Sequence, residues 1–267
     1  MRIWYAMRMA YASSSTGPAV FETAGRRRTW WRRPWIAPLA FVSLAFLAFS
    51  LPPYLSLDPK QSRVPPPDGF ALHYPLLVAH VMFGSVALLT ASLQIWPWFR
   101  KRYKVAHRIL GRVYVLAGVL PAGLLGLTIG AFSPFGPLVR VSNVLLASLW
   151  LTFTTLGWQR ARAHRYTEHR RWMVRSFALT ASIITNRIWA VIAYLVLSPQ
   201  LATTFEGNER MLGWTVAALA AWLGWVLTLL FAEWWLERGV TLEAADHVLR
   251  PHPLVELLRG DEAQLQR

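Results

Sequence analysis

The sequence contains no cysteine. This absence excludes disulfide bonds, covalently attached c-type haem and iron–sulfur clusters held by thiolates. Any bound metal must therefore be held by histidine or by oxygen ligands. Nucleotide-binding loops, zinc-protease motifs and serine nucleophile elbows are also missing. The motifs therefore leave open whether the protein is an enzyme.

Acidic residues are scarce, with 13 Asp and Glu against 28 Lys and Arg, and the formal net charge is +15. Of these acidic residues only Glu233 lies within a long apolar segment, and it lies at the end of the last one. In a soluble protein such a charge would suggest nucleic-acid binding, but no recognition motif is present, so we expect no nucleic-acid partner. The N-terminus also lacks the apolar core of a signal peptide, and we expect no cleavage there.

Six apolar segments are long enough to predict membrane helices, because a bilayer core needs ~20 apolar residues in a helix. Their predicted bounds are Trp35–Tyr54, His73–Trp96, Arg112–Phe132, Leu138–Trp158, Ser176–Leu197 and Leu212–Leu236. Helices satisfy their own backbone hydrogen bonds in lipid. The sequence therefore predicts an all-α, polytopic membrane bundle with six transmembrane helices.

The basic residues predict the orientation of this bundle. Twenty-three of the 28 Lys and Arg residues fall in the two termini and in the loops after the second and fourth segments, when Arg112 at the start of the third segment is included. By the positive-inside rule, these parts and both termini are cytoplasmic. We predict a basic tail over 1–34, a transmembrane domain over 35–236 with its core at 70–200, and a cytoplasmic tail over 237–267. Lipids, including anionic headgroups, are the expected partners.

The two basic hairpins each place a His-Arg pair before a membrane helix. His107 and Arg108 precede Arg112 in the first hairpin, and His169 precedes Arg175 in the second. Two histidines facing each other across a helix pair are typical of b-type haem, and the positive helix ends and arginines suit its propionates or another anion. Two other interpretations stay open: the histidines are solvated, and the arginines follow only the topology rule.

Several polar residues lie within the predicted spans, where ionisable groups are costly and therefore indicate function. The candidates for a buried polar site are His80, Gln94, Asn143, Asn186 and Arg187. We expect an outer-half pocket between the helices that carry them. Arg187 has no acidic partner at its depth, so it bonds amides and carbonyls, extends to the interface, lines water or holds an anion. The alternative for His80 is a packed, hydrogen-bonded core residue.

Glycine recurs along the third predicted span. The positions are Gly118, Gly123, Gly126 and Gly130. Small residues allow neighbouring membrane helices to approach closely. The pattern therefore predicts close helix packing, or alternatively room for a flat cofactor.

A combination of these motifs resembles a known family. The residues are His80-x3-Gly84-x2-Ala87, Gln94, His107-Arg108-x2-Gly111-Arg112-x-Tyr114, the run from His169 to Leu179, and Arg187. They resemble a bacterial family of predicted membrane proteins, domain of unknown function 2306, over about residues 70–200. The matched motif positions are His80, Gln94, His107, Arg108, His169, Arg175 and Arg187. The resemblance implies a shared multi-span fold in the bacterial inner membrane and supplies no activity.

A looser likeness is to the two-haem transmembrane b-type cytochromes. The fourth and sixth predicted spans contain no histidine, so at most one haem, held by His107 and His169, is expected. The leading hypothesis is a one-haem redox protein, with Arg108, Arg112 or Arg175 at the propionates and a quinone as a possible partner. The alternatives are a cofactor-free transporter or lipid- or anion-binding protein, and an accessory subunit of a membrane complex.

Overall fold

The computed structural model describes residues 36–67 and 69–249, with side chains described as far as Arg238. Within these residues the regular structure is entirely helical, which confirms the all-α prediction. The helices are α1 Ile36–Ser50, α2 Pro52–Leu55, α3 His73–Gln94, α4 Pro97–Arg102, α5 Lys104–Arg112, a π-helix Val113–Val119, α6 Leu120–Ala131, α7 Pro137–Arg162, α8 Tyr166–Leu197 and α9 Glu209–Leu249; short 3-10 turns lie at Pro59–Gln61 and Ser198–Gln200.

Five helices are long and apolar enough to cross a membrane. They are α3, the continuous rod Lys104–Ala131 formed by α5, the π-helix and α6, then α7, α8 with its 3-10 extension, and α9. The first apolar helix, α1, has only 15 described residues, or ~22 Å at helical rise. Pro52 and Pro53 follow it after Leu51, and proline without an N–H interrupts a helix. Six spans and cytoplasmic termini therefore stay predictions.

The rod Lys104–Ala131 changes geometry in its middle. Pro121 lacks the N–H that would bond the carbonyl of Ala117, and its ring crowds that carbonyl. The π-helix Val113–Val119 lies directly before this position, and such wide turns are rare and recur at functional sites. Tyr114 lies within this π-helix and is 1% exposed.

The glycines of the rod bring it against its neighbours. A Cβ on Gly118 would lie 3.0 Å from the Cα of Ala87 in α3. A Cβ on Gly123 would lie 2.6 Å from the Leu151 side chain in α7. The close packing predicted from these glycines is confirmed at both positions, and the space beside them is occupied by side chains of adjacent helices.

The rod, α7 and α8 each pack between other helices of the bundle. Helix α8 lies between α7 and α9, the rod lies between α3 and α7, and α1 packs on α3. The main core cluster contains Ala87, Ala91, Tyr114, Val115, Val119, Ala122, Trp150, Leu179 and Trp225. The core therefore lies within the predicted 70–200 segment and extends to α9.

The predicted tails differ in how much of them the structure describes. The tail 1–34 lies outside the described residues. At the other end, α9 continues to Leu249. The first part of the predicted C-terminal tail, 237–249, is therefore a direct continuation of the last membrane helix. The remainder of the predicted tail, 250–267, also lies outside the described residues.

Candidate functional site

His107 and His169 lie near one another at the starts of two membrane helices. His107 is in α5 and His169 is in the first turn of α8, and both are half-buried. The two rings are close enough to interact electrostatically. The structure therefore places the two histidines at corresponding positions of two helices, and a ligand shared by them stays a prediction.

The ring of His169 has a fixed tautomer. Its Nδ1 lies 2.8 Å from the backbone carbonyl oxygen of Gly157 in α7. A carbonyl oxygen only accepts hydrogen bonds, so Nδ1 carries the proton and donates. In a neutral imidazole this leaves a lone pair on Nε2, which is the arrangement that metal-ligating histidines commonly adopt.

The ring of His107 has an unsatisfied nitrogen. Its Nδ1 is buried and has no hydrogen-bond partner among the described residues. The backbone of the same residue is held, because Gln94 Nε2 donates to the His107 carbonyl at 2.9 Å. Buried polar atoms without a partner are uncommon and require an explanation, such as a bound group.

A second contact between the same two helices lies about two turns further along them. Tyr114 follows His107 by seven residues, and Ser176 follows His169 by seven residues. Seven residues are about two helical turns, or ~10 Å, and return to the same face. The Tyr114 hydroxyl and Ser176 Oγ are 2.6 Å apart, so the helix faces that carry the two histidines are in register.

Tyr114 and Ser176 belong to a buried hydroxyl cluster that joins the rod, α7 and α8. Thr180 Oγ1 lies 2.8 Å from the Tyr114 hydroxyl and accepts from Trp150 Nε1 at 2.9 Å. Thr154 Oγ1 lies 2.6 Å from Ser176 Oγ. Sequence reasoning missed this cluster. The sequence pattern that could have indicated it is two residues four positions apart in each helix: Trp150 and Thr154 in α7, and Ser176 and Thr180 in α8.

The arginines predicted for this site differ in their exposure and in their ion pairs. Arg175 donates to both carboxylate oxygens of Glu233 in α9, at 2.5 and 2.7 Å, and its guanidinium stacks on Trp172. One turn earlier, Arg171 pairs with Glu237 at 3.0 Å. Arg175 is therefore engaged by a carboxylate that the sequence did not predict as its partner.

Arg108 and Arg112 lie on the exposed side of the rod's first turns. Together with Lys104 they form a row spaced by four residues, so they share one helix edge. His107 is turned towards the bundle from the same helix. Both arginines are thus exposed beside the histidine pair.

The five residues of the predicted buried polar site do not converge on one place. His80 Nδ1 donates to the Ala122 carbonyl at 2.8 Å, and its ring lies against Gly126. Gln94 lies 14 residues further along α3, ~21 Å away along the helix, beside His107. Arg187 is exposed on α8, and its role in an anion site stays a prediction.

The two asparagines face different helices. Asn143 of α7 lies against Gly130 of α6, where a glycine Cβ would come within 2.8 Å of the Asn143 Cβ. Asn186 of α8 lies against Gly224 of α9, where a Cβ would meet the Asn186 Cα at 2.9 Å. His80 and Asn143 thus contact the same glycine-bearing face of α6 one turn apart, and Asn186 belongs to the α8–α9 contact.

Comparison with known proteins gives one match. The model of a family described as predicted membrane protein (DUF2306) matches residues 77–236, which is more than half of the chain. The match extends beyond the motif region to the last membrane helix. No curated protein and no solved structure matches the chain.

Proposed function

Because the chain belongs to the DUF2306 family of predicted membrane proteins, whose activity is unassigned, we propose a function from its own geometry. We propose that it is an electron-transfer protein of the bacterial inner membrane that binds one haem b between His107 and His169. The observation that carries this proposal is the histidine pair itself: one ring has a defined tautomer, and the other has a buried nitrogen without a partner.

The number of ligands favours haem over a bare metal ion. The described residues contain no group of three or more His, Cys, Asp or Glu side chains that could hold a metal. A structural zinc ion takes four ligands, and a catalytic one takes three from the protein. A haem iron already has four porphyrin nitrogens, so two histidines complete its coordination. His107 and His169 would supply these two ligands.

The surroundings supply the remaining groups that haem requires. Arg108 and Arg112 are exposed next to His107, so they would hold the propionates at the aqueous edge of the site. Arg175 is less suited to this role because its guanidinium already donates hydrogen bonds to Glu233. Haem, when bound, supplies one-electron transfer, and a quinone is the partner that this chemistry favours in a membrane.

The chain's own contributions are orientation and polarity. The Gly157 carbonyl holds the His169 ring and raises the basicity of its Nε2. The Tyr114–Ser176 contact two turns deeper fixes the rod against α8, which keeps both histidines in place. His80, with its ring bonded to Ala122, lies apart from this pair and has no ligand role in the proposal.

The test is an optical spectrum of protein purified after expression with ample haem. The oxidised protein is expected to show a Soret band and the dithionite-reduced protein sharp α and β bands. His107→Ala and His169→Ala each abolish these bands. The matched control is His164→Ala, an exposed residue of the same hairpin, which keeps them. A flat spectrum from folded wild-type protein, or bands that persist in both ligand variants, would refute haem binding here.

A second candidate is a cofactor-free anion-binding or transport protein, and Arg187 favours it. Arg187 is exposed, and Arg63 lies within electrostatic range of it. A membrane-helix arginine without a carboxylate partner among the described residues favours an anion as its counter-charge. With inorganic phosphate as the probe, Arg187→Ala is expected to weaken binding about tenfold or more. Equal binding in that variant and in the exposed control Arg210→Ala would exclude the site.

A further inference from the structure

The first hairpin carries an open groove at the membrane edge. It comprises α4 and the start of α5 and is lined by Lys101, Arg102, Tyr103, Lys104, Val105, Ala106 and Ile109. The groove lies on the outward side of α5, whereas His107 is turned towards the bundle. It is therefore separate from the histidine pair.

The groove is basic and its hairpin contains no acidic residue. Between Asp68 and Glu168 the chain has no Asp or Glu at all. Lys101, Arg102 and Lys104 are exposed, and no ion pair to any of the three is seen in the part of the chain that the structure describes. Their positive charge is therefore not neutralised by neighbouring carboxylates of the hairpin.

The second hairpin provides the comparison. Glu168 pairs with Arg160 at 3.2 Å and also with Arg165. Further along α8, Arg171 and Arg175 pair with carboxylates of α9. The positive-inside rule accounts for basic residues in both hairpins. It does not account for acidic partners at one hairpin and their absence at the other.

The groove also has an apolar part. Val105 is 60% exposed, Ile109 53% and Tyr103 44%. Val105 and Ile109 are four residues apart, so they lie on the same face of α5. Exposed aliphatic side chains beside basic ones at the end of a membrane helix suit an interface with lipid, where chains are apolar and headgroups are charged.

We propose that this groove is a binding site for an anionic phospholipid. Lys101, Arg102 and Lys104 bind the headgroup phosphate, and Val105 and Ile109 contact the upper part of the acyl chains. Charge complementarity selects an anionic lipid over a zwitterionic one, and the apolar face selects a lipid over a free anion. This site is independent of haem binding.

The test is a titration of detergent-purified, full-length protein with phosphatidylglycerol, followed by native mass spectrometry. A basic residue near an anionic lipid contributes about fivefold in affinity. Replacing Lys101, Arg102 and Lys104 together by Gln is therefore expected to weaken binding on the order of 100-fold. Phosphatidylcholine is expected to bind weakly to wild type and variant alike.

The matched control replaces Arg160, Arg162 and Arg165 of the second hairpin by Gln, which removes the same charge. This control is expected to keep the wild-type affinity for phosphatidylglycerol. Equal weakening in both triple variants would show a bulk charge effect and overturn the proposal. So would equal binding of phosphatidylglycerol and phosphatidylcholine.

A second variant keeps every charge and tests the apolar contact. Val105→Ser with Ile109→Ser leaves the basic residues that determine membrane insertion unchanged, and it is expected to weaken phosphatidylglycerol binding about tenfold. Unchanged affinity in this variant would refute the lipid assignment. Displacement of the lipid by millimolar inorganic phosphate would likewise identify a free-anion site and refute it.

Discussion

Replacing Gly118 by Ala tests the close approach of the rod Lys104–Ala131 to α3. The added Cβ would lie 3.0 Å from both the Cα and the Cβ of Ala87 and 3.1 Å from its backbone nitrogen. Backbone atoms of a packed helix cannot rotate away as a flexible side chain can. The two helices must therefore separate by a few tenths of an ångström, or the π-helix around Gly118 must shift.

Gly84 provides the matched control because a Cβ there has no heavy atom within 4 Å. Both Gly→Ala changes gain about 1 kcal/mol of helix propensity, and this gain cancels when the two variants are compared. Overpacking adds a destabilisation of about 1–3 kcal/mol at Gly118 only. We therefore expect Gly118→Ala to be less stable than Gly84→Ala by about 2 kcal/mol.

The assay is thermal unfolding of both variants in the same detergent. For a protein of this size, about 2 kcal/mol separates the two Tm values by roughly 4–8 °C. Gly84→Ala is expected to equal or exceed the wild type in Tm. Equal Tm values for the two variants would show that the rod and α3 do not approach as closely as described, and would refute the packing argument.

Two further predictions concern polar contacts. Tyr114→Phe removes the hydroxyl that contacts Ser176 and Thr180. Since hydrogen bonds in membrane proteins average about 0.6 kcal/mol, we expect the free energy of unfolding in denaturant to fall by about 1 kcal/mol. Ser176 and Thr180 keep other hydrogen bonds, so a fall above about 4 kcal/mol would contradict this reasoning. Arg175→Ala leaves Glu233 without its bidentate partner, and for this partly buried pair we expect a loss of about 2 kcal/mol. The double variant with Glu233→Gln is expected to recover part of it, and additive losses would argue against direct coupling.

The features that the sequence predicted best depend on local composition. The glycines of the third predicted span indicated close packing, and the contacts of Gly118 and Gly130 confirm it. The alternation of apolar segments and basic loops predicted a multi-span helical protein, which the structure and the family match support. The equivalent depth of His107 and His169 at the starts of two helices indicated a pair, and a ligand shared by the two rings stays a prediction.

The features that could not be predicted depend on how helices rotate about their axes and on contacts between distant residues. The pocket expected around Arg187 stays a prediction, because a single charged residue in an apolar helix does not reveal which side it faces. Arg175 and Glu233 are 58 positions apart, and no local pattern links them. The hydroxyl cluster around Tyr114 likewise needs three helices to be placed together before its members meet.

The two arginine–glutamate pairs between α8 and α9 have a consequence for the axial register of these helices. Arg171 and Arg175 are one turn apart on α8, and their partners Glu237 and Glu233 are one turn apart on the antiparallel α9. If α9 moved along α8 by one turn, ~5.4 Å, at most one of the two ion pairs could form. Apolar helix faces in lipid tolerate such slippage because leucine and lipid chains are similarly apolar. The ion pairs therefore select one register among several that apolar packing alone would leave close in free energy.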